Sequence, residues 1–222
     1  MLTVSQAVRQ RHSVRAYLSR PVERGVVERI LTDAARAPSG GNLQPWHVDV
    51  LAGEALDELR ARVRERLAAG LDSPEYQSYP SDIRALHADR RRAGGEALYA
   101  ALGIERDDKP ARWSQFLKNY ELFGAPVGLF FSIDRGFDRP QWAHLGMFIQ
   151  TIMLLAQERG LGTVPQEAWA AMHSTVSDFL GLPAQRMLYC GLALGYEDEE
   201  HPINRFRTAR EPVESFATFR GL

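Results

Sequence analysis

Residues 126–162 read PVGLFFSIDRGFDRPQWAHLGMFIQTIMLLAQERGLG, and two features of this stretch decide the fold class. Pro126 to Ile133 is apolar and compact, the mark of a buried strand. Gln141 to Arg159 then predicts a long helix. Trp142, Leu145, Phe148, Ile149, Ile152, Met153 and Leu155 spread apolar surface around much of its circumference. Such a helix requires burial, either in a core or in a subunit interface. Gly160-Leu161-Gly162 ends it with C-cap chemistry. A second buried strand is expected at Met187 to Leu194, MLYCGLAL.

Upstream, Thr3 followed by Gln6 fits a capping box, which predicts a short helix from Val4 to about Arg11. A second helix is expected after Pro21, a residue suited to a first turn. Val22, Val26, Val27, Ile30, Leu31, Ala34 and Ala35 form its apolar face, and Glu23, Arg24, Glu28, Arg29 and Arg36 its polar face. It stops before Pro38-Ser39-Gly40-Gly41, a loop signal. His47 to Leu51 reads as a strand, and Glu54–Ala69, Ser114–Phe123 and Ser174–Leu180 as helices. Residues 70–110 differ: they are polar and rich in arginine and alanine, with Pro74, Pro80 and Gly94-Gly95. This segment reads as a helical excursion from the main body, a candidate lid. Arg90-Arg91-Arg92 within it is most simply a solvated helix face. The last segment, 201–222, alternates Val213, Ser215, Ala217 and Phe219, so it can add a strand to a sheet in another subunit. Helices with a few interspersed strands give an α+β fold with a small mixed sheet.

Bulk properties narrow the function classes. The chain has 222 residues, 45% of them hydrophobic, enough for a core and against disorder of the whole chain. Its 27 basic and 28 acidic residues nearly cancel, so global charge points to neither a nucleic-acid nor a membrane partner. No stretch approaches a membrane span, and the N-terminus lacks the pattern of a secretory signal. The single cysteine, Cys190, excludes an internal disulfide and a cysteine-based zinc site. The six histidines are scattered without ligand spacing, so a metal site is not expected. A cytoplasmic setting is the default. All the cations but Lys109 and Lys118 are arginines, which bind phosphate and carboxylate as a planar fork; base composition of the genome offers a second explanation.

Four pieces stand out. In Arg11-His12-Ser13-Val14-Arg15, extended backbone places Arg11, Ser13 and Arg15 on one side, two forks and a hydroxyl suited to a phosphate. Taken alone, most such triplets are explained by surface arginines. In PSGGNLQPW, Pro38 to Trp46, the glycines permit close approach to the backbone, and the Asn42 and Gln44 amides match the edge of a heteroaromatic ring. A plain helix-to-strand loop has the same composition. GLGTVPQEA, Gly160 to Ala168, is expected as a loop with free backbone amides. NRFRTAR, Asn204 to Arg210, puts three arginines near the C-terminus.

Taken in order with FGAPV (Phe123 to Val127) and GYEDEEHPINRFRTAR, these pieces resemble the nitroreductase family of FMN-dependent oxidoreductases. The likeness runs along most of the chain and leaves out residues 70–110. It implies a three-layer α+β sandwich, a single FMN-binding unit over residues 1–222, that forms an intertwined homodimer. The arm of about 201–222 would join the partner's sheet. Two FMN sites would lie at the dimer interface, with the Gln141–Arg159 helix central to it. Carried over, Arg11, Ser13 and Arg15 hold the ribityl phosphate end. Pro38, Ser39 and Asn42 come from the other subunit, and Pro165 and Gln166 lie along the isoalloxazine near N5. Arg210 matches the family's C-terminal phosphate-binding arginine. A second cation is common two residues earlier, where this chain has Thr208, and Arg207 is the substitute.

The implied activity is ping-pong reduction of nitroaromatics, quinones or related small-molecule acceptors, with NADH or NADPH as donor. The scheme demands no side-chain acid or base, so no catalytic residue is assigned. The resemblance also spans flavin fragmentation, reductive dehalogenation and oxidation of peptide-bound heterocycles. Two readings of other classes are a flavin-binding protein without efficient turnover and a helical interaction protein without cofactor.

Overall fold

The computed structural model of the chain describes residues 2–221. Helix α1 (Val4–Gln10) starts at the expected capping box: the Gln6 N–H donates to Thr3 Oγ1 at 3.2 Å, and Gln6 Oε1 accepts from the Thr3 N–H at 2.7 Å. Helix α2 (Arg24–Ala34) begins three residues after Pro21, behind Glu23. The preceding chain is held extended, with the Leu18 N–H donating to the Tyr196 carbonyl at 2.9 Å. Strand β1 (His47–Ala52) leads directly into α3 (Gly53–Ala69).

The excursion contains α4 (Ala85–Ala101), which runs through Gly94 and Gly95 and buries none of its residues. Helix α5 (Lys109–Leu117) starts earlier than Ser114, because Asp108 caps it by accepting the Ala111 N–H at 2.9 Å and Pro110 occupies its first turn. The helix expected to run to Phe123 ends at Leu117. Residues 118–124 form a 3-10 segment in which buried Leu122 and Phe123 take left-handed φ values of 52° and 53°. That strain is held in place by the surrounding core.

Strand β2 (Val127–Asp134) and α6 (Arg139–Glu158) follow the reading of residues 126–162 closely, with Asp138 and Gln141 forming a capping box. The next piece does not. Gly162–Gln166, expected as part of a loop, is strand β3. It is an edge strand bonded only to β4 in the sheet, and an edge position tolerates Pro165. Helix α7 (His173–Leu180) closes on Gly181, left-handed at φ 63°. Strand β4 (Arg186–Gly195) and short α8 (Pro202–Arg205) complete the elements.

The sheet order is β1-β2-β4-β3, and every pair is antiparallel. The mixed character expected of the sheet is confined to one isolated parallel bridge, Ser13 to Thr163. One face of β2 and β4 (Leu129, Phe131, Leu192, Leu194) packs on α2 and α6. The other (Phe130, Leu188, Ala193) packs on α3, α7 and Trp169. Helix, sheet and helix therefore form three layers. A bulge at Tyr189 shifts the β2–β4 register between Phe131 and Ser132.

The C-terminal arm leaves this body. Among the described residues it forms no strand within its own chain, only a 3-10 turn at Val213–Ser215, and Phe216 and Phe219 are 74% and 63% exposed.

Candidate functional site

The Arg11–Arg15 segment is locked beside β3 by packing. Val14 is buried, and its N–H donates to the Thr163 carbonyl at 3.1 Å. Gly162 makes room for it: a Cβ at Gly162 would sit 2.6 Å from Val14 Cγ2. With Val14 turned inward, Arg11, Ser13 and Arg15 are left at the partly exposed surface, as the period-two reading requires. Asn204, 2% exposed, ties the C-terminal arm to the same place. Its Oδ1 accepts the Arg15 N–H at 2.8 Å, and its Nδ2 donates to the carbonyls of Ala16 and Asp198 at 2.8 and 2.9 Å. His12 adds a second tie, 2.8 Å from Glu197.

Arg207 and Arg210 follow directly. Arg207 donates to the backbone of Asn204 and Phe206, and Arg210 to the backbone of Thr208 and Ala209 and to the Thr208 hydroxyl. Thr208, standing where the resemblance expects a cation, thus braces Arg210. Arg15 donates to the Ser13 carbonyl at 3.3 Å. None of Arg11, Arg15, Arg207 and Arg210 has a carboxylate within 4.0 Å among the described residues. Burial and the neighbouring Arg210 charge push the Arg11 guanidinium down from its ordinary pKa, and burial does the same to Arg15. Like charges gathered without counter-charge form a site suited to an anion.

Pro165 and Gln166 adjoin this cluster through β3. Gln166 is 3% exposed, and its amide is already engaged: Nε2 donates to the Asn119 carbonyl at 2.8 Å, and Oε1 accepts from the Trp169 indole at 3.4 Å. Its side chain is therefore committed within the protein. From Pro165 and Gln166 a cavity of about 600 Å³ opens. Its walls are Phe116, Asn119 and Tyr120 on one side, Glu167, Ala168, Ala170 and Ala171 on another, and Pro74, Ser78 and Tyr79 of the excursion on the third. The root of that excursion is anchored. Asp72 accepts from Arg66 at 2.8 Å and from the Ser174 hydroxyl at 2.6 Å, Glu75 pairs with Arg135 at 2.6 Å, and the Tyr76 hydroxyl donates to the Tyr189 carbonyl.

Pro38, Ser39 and Asn42 lie elsewhere. Their loop packs on the N-terminal part of α6, where the Gly40 N–H donates to His144 Nε2 at 3.3 Å. Ser39 Oγ accepts the Gln44 N–H at 3.0 Å. Gly41, Asn42 and Gln44 take left-handed φ values of 60°, 55° and 47°. Trp46 belongs to the core, stacked on Phe148 at 4.6 Å. The arginine cluster sits at the opposite end of α6: Gln157 borders the same depression as His12, Asn204 and Arg207. His144 and Gln157 are about 20 Å apart at 1.5 Å per residue. One chain therefore brings Arg11, Ser13, Arg15, Pro165, Gln166, Arg207 and Arg210 into one region, and Pro38, Ser39 and Asn42 into another.

The sequence reading missed four contributors. Asn204 was visible only as the first letter of an arginine-rich piece. Tyr120 and Phe116 looked like helix core. Glu167 looked like a loop carboxylate until the strand before it aimed it at the cavity. Among the described residues there is no group of three or more His, Cys, Asp or Glu placed to hold a metal, and no helix long and apolar enough to cross a membrane.

This arrangement recurs in known proteins. The sequence profile of the nitroreductase family matches residues 8–196. The 4-nitrobenzoate reductase of Pseudomonas putida is 37% identical over 216 residues, which is 97% of this chain and 94% of that protein. The crystal structure of the FMN and NADPH-dependent nitroreductase NfnB from Sphigopyxis sp. strain HMH superimposes with a TM-score of 0.96 at 45% identity, covering 100% of both chains. The FMN-dependent nitroreductase NfnB from Mycobacterium smegmatis, solved with NADPH, gives 0.91 at 27% identity over 98% of this chain and 100% of that one. Profile, relatives and three-layer architecture agree over nearly every residue, and the chain belongs to the nitroreductase family.

Proposed function

We propose that this protein is an FMN-dependent NAD(P)H oxidoreductase that reduces nitroaromatics and related electron-poor acceptors, and that it works as a homodimer. The observation that carries the reading is the cluster of Arg11, Arg15, Arg207 and Arg210 without a carboxylate partner. A phosphate supplies the missing charge, with the Ser13 hydroxyl as a further donor. The cavity that opens at Pro165 and Gln166 is lined mainly by aromatic and apolar groups, as a flat ring and a flat acceptor require. The residues thus fit FMN at both ends: charge for the phosphate, a walled slot for the ring. The names of the relatives add nitroaromatic acceptors and FMN with NADPH.

FMN held there would supply the two-electron chemistry that links NAD(P)H to the acceptor. The chain's part is placement. Arg11, Ser13, Arg15, Arg210 and Arg207 hold the phosphate end. Pro165 and the Gln166 backbone set the ring edge, and Asn119 and Trp169 fix Gln166 so that this edge does not wander. Tyr79, Phe116 and Tyr120 exclude water and admit planar acceptors. Residues 70–110 act as the lid, and residues 1–222 form one FMN-binding unit with the arm 201–222 reaching the second copy. NAD(P)H as donor fits a cytoplasmic setting.

The separation along α6 supports the homodimer reading. Pro38, Ser39 and Asn42 lie at the His144 end of α6 and the arginine cluster at the Gln157 end, about 20 Å along the helix, too far to share one phosphate or one ring. An antiparallel pairing of two α6 helices brings one copy's loop to the other copy's arginines. The outer stripe of α6, Ala143, Gly146, Met147, Gln150 and Leu154, carries no charge, and Met147 is 39% exposed. Such a stripe suits an isologous contact.

The test is an anaerobic absorption spectrum before and after NADH and then NADPH. Flavin bands that bleach with either donor and return on adding nitrobenzene are expected. A yellow protein that neither donor bleaches would replace the reductase with a flavin-binding protein. A colourless protein that ignores added FMN would refute the reading.

A further inference from the structure

Glu167 is the one charged residue among those that line the cavity, and nothing in the described protein engages it. It follows β3 directly, in the first turn of the 3-10 segment Glu167–Met172. It has no hydrogen-bond or ion-pair partner among the described residues. Glu167 is exposed to the cavity rather than enclosed, and its partial burial against the wall pushes its carboxyl up from the ordinary carboxylate range. The groups around it are hydroxyls and a thiol. They are Tyr76 and Tyr79 on the excursion, Tyr120 before β2, and Tyr189 and Cys190 on β4. Burial raises Tyr120 and Tyr189 to about 12, and it raises Tyr76 and Cys190 as well. Among the described residues no cation lines the cavity to hold Glu167 ionised.

We propose that Glu167 is the acid that protonates the departing oxygen when a nitro N–O bond breaks in this cavity; the proposal rests on the reductase reading above. The chemistry needs such a group. A nitro group that accepts hydride, two electrons and one proton, becomes an anionic N-hydroxy N-oxide. Breaking its N–O bond to give the nitroso product releases water and consumes one further proton, so ArNO2 + H− + H+ gives ArNO + H2O. The hydride comes from NAD(P)H by way of the cofactor, and the proton comes from Glu167, which is refilled from solvent through the cavity mouth. A quinone differs: hydride addition gives the hydroquinone monoanion, no bond to a leaving group breaks, and no acid is demanded in that step. Glu167 thus separates acceptors that must lose an oxygen from those that need not.

The experiment compares wild-type holoenzyme with Glu167→Gln and Glu167→Asp. Each is first reduced anaerobically with NADPH and then mixed with nitrobenzene or with 1,4-benzoquinone in a stopped-flow instrument. The Gln variant is expected to lose about 10²-fold in rate with nitrobenzene and at least tenfold less than that with benzoquinone. The Asp variant should recover part of the nitrobenzene rate. In wild type the nitrobenzene rate should fall as pH rises through the raised carboxyl pKa, and that limb should be missing in the Gln variant. Equal losses with both acceptors would make Glu167 a structural residue and overturn the proposal, as would a nitrobenzene rate that survives in the Gln variant. If wild type fails to hold FMN or to be reduced by NADPH, the reductase reading itself fails; bleaching with NADPH but no acceptor split refutes Glu167 alone.

Discussion

Replacing Gly162 by alanine tests how the Arg11–Arg15 segment is held. The new Cβ would lie 2.6 Å from Val14 Cγ2, 3.0 Å from its Cβ and 3.1 Å from its Cγ1. Ordinary contact begins near 3.4 Å, so Val14 or the strand must move by most of an ångström. A β-branched side chain with one favoured rotamer cannot swing aside, and overpacking of this kind costs about 1–3 kcal/mol. Val14→Ala alone removes two buried methyl groups and costs about 2 kcal/mol. In the double variant the methyl added by Gly162→Ala enters the space that Val14→Ala vacates, so its cost should fall short of the sum by about 1 kcal/mol or more. Urea unfolding at one fixed protein concentration measures the stabilities, and fluorescence titration with FMN measures the site. Gly162→Ala should weaken FMN binding, because Ser13 and Arg15 shift from Thr163, and Val14→Ala should restore part of it. Additivity within about 0.5 kcal/mol, or FMN affinity indifferent to Gly162→Ala, would refute the packing argument.

Other consequences can be measured as directly. Arg15→Ala should weaken FMN binding by about 1.5–3 kcal/mol while leaving the folded dimer intact, as read by titration and size-exclusion chromatography. Met147→Glu places a charge on the uncharged outer stripe of α6; sedimentation should show monomers, with FMN lost at the same time. Asp72 reports on the root of the 70–110 excursion. Burial would raise its carboxyl, but hydrogen bonds from Ser174 and Arg66 outweigh that and hold it below the ordinary 3.8. Its contribution is therefore present above about pH 4 and lost as pH falls through the lowered value. Asp72→Asn should be less stable than wild type at pH 7, and the difference should shrink in acid, as followed by thermal unfolding across pH.

Much of the fold was legible because its strongest signals are periodic or terminal. The β2 and β4 runs, the apolar circumference of α6 and the capping box at Thr3 each follow from short-range chemistry, and all three stand in the structure. Strand β3 was not legible: Gly162 and Pro165 are turn residues by composition, and only pairing with β4 makes an edge strand of them. Helix α5 was misplaced because its start depends on Asp108, a cap that looked like part of the excursion. For the site, motif order gathered the arginines; the Val14–Gly162 contact seats Arg11 and Arg15 on β3, and Asn204 ties the arm with Arg207 and Arg210 to them. The division between the two ends of α6 cannot be read from spacing, since Ser39 and Arg15 are close in sequence and far apart in space. The engaged side chain of Gln166 was hidden for a similar reason, as Asn119 lies 47 positions away.

That division has a genetic consequence. In the proposed pairing, a copy damaged at Arg15 and a copy damaged at Asn42 spoil different halves of the cradle. Homodimers of either kind hold two defective cradles. A mixed dimer concentrates both defects in one cradle and leaves the other whole. Random assortment of the two gene products would restore about one quarter of all cradles, so two inactive alleles should complement each other in one cell. Two alleles damaged at the same end of α6 should not.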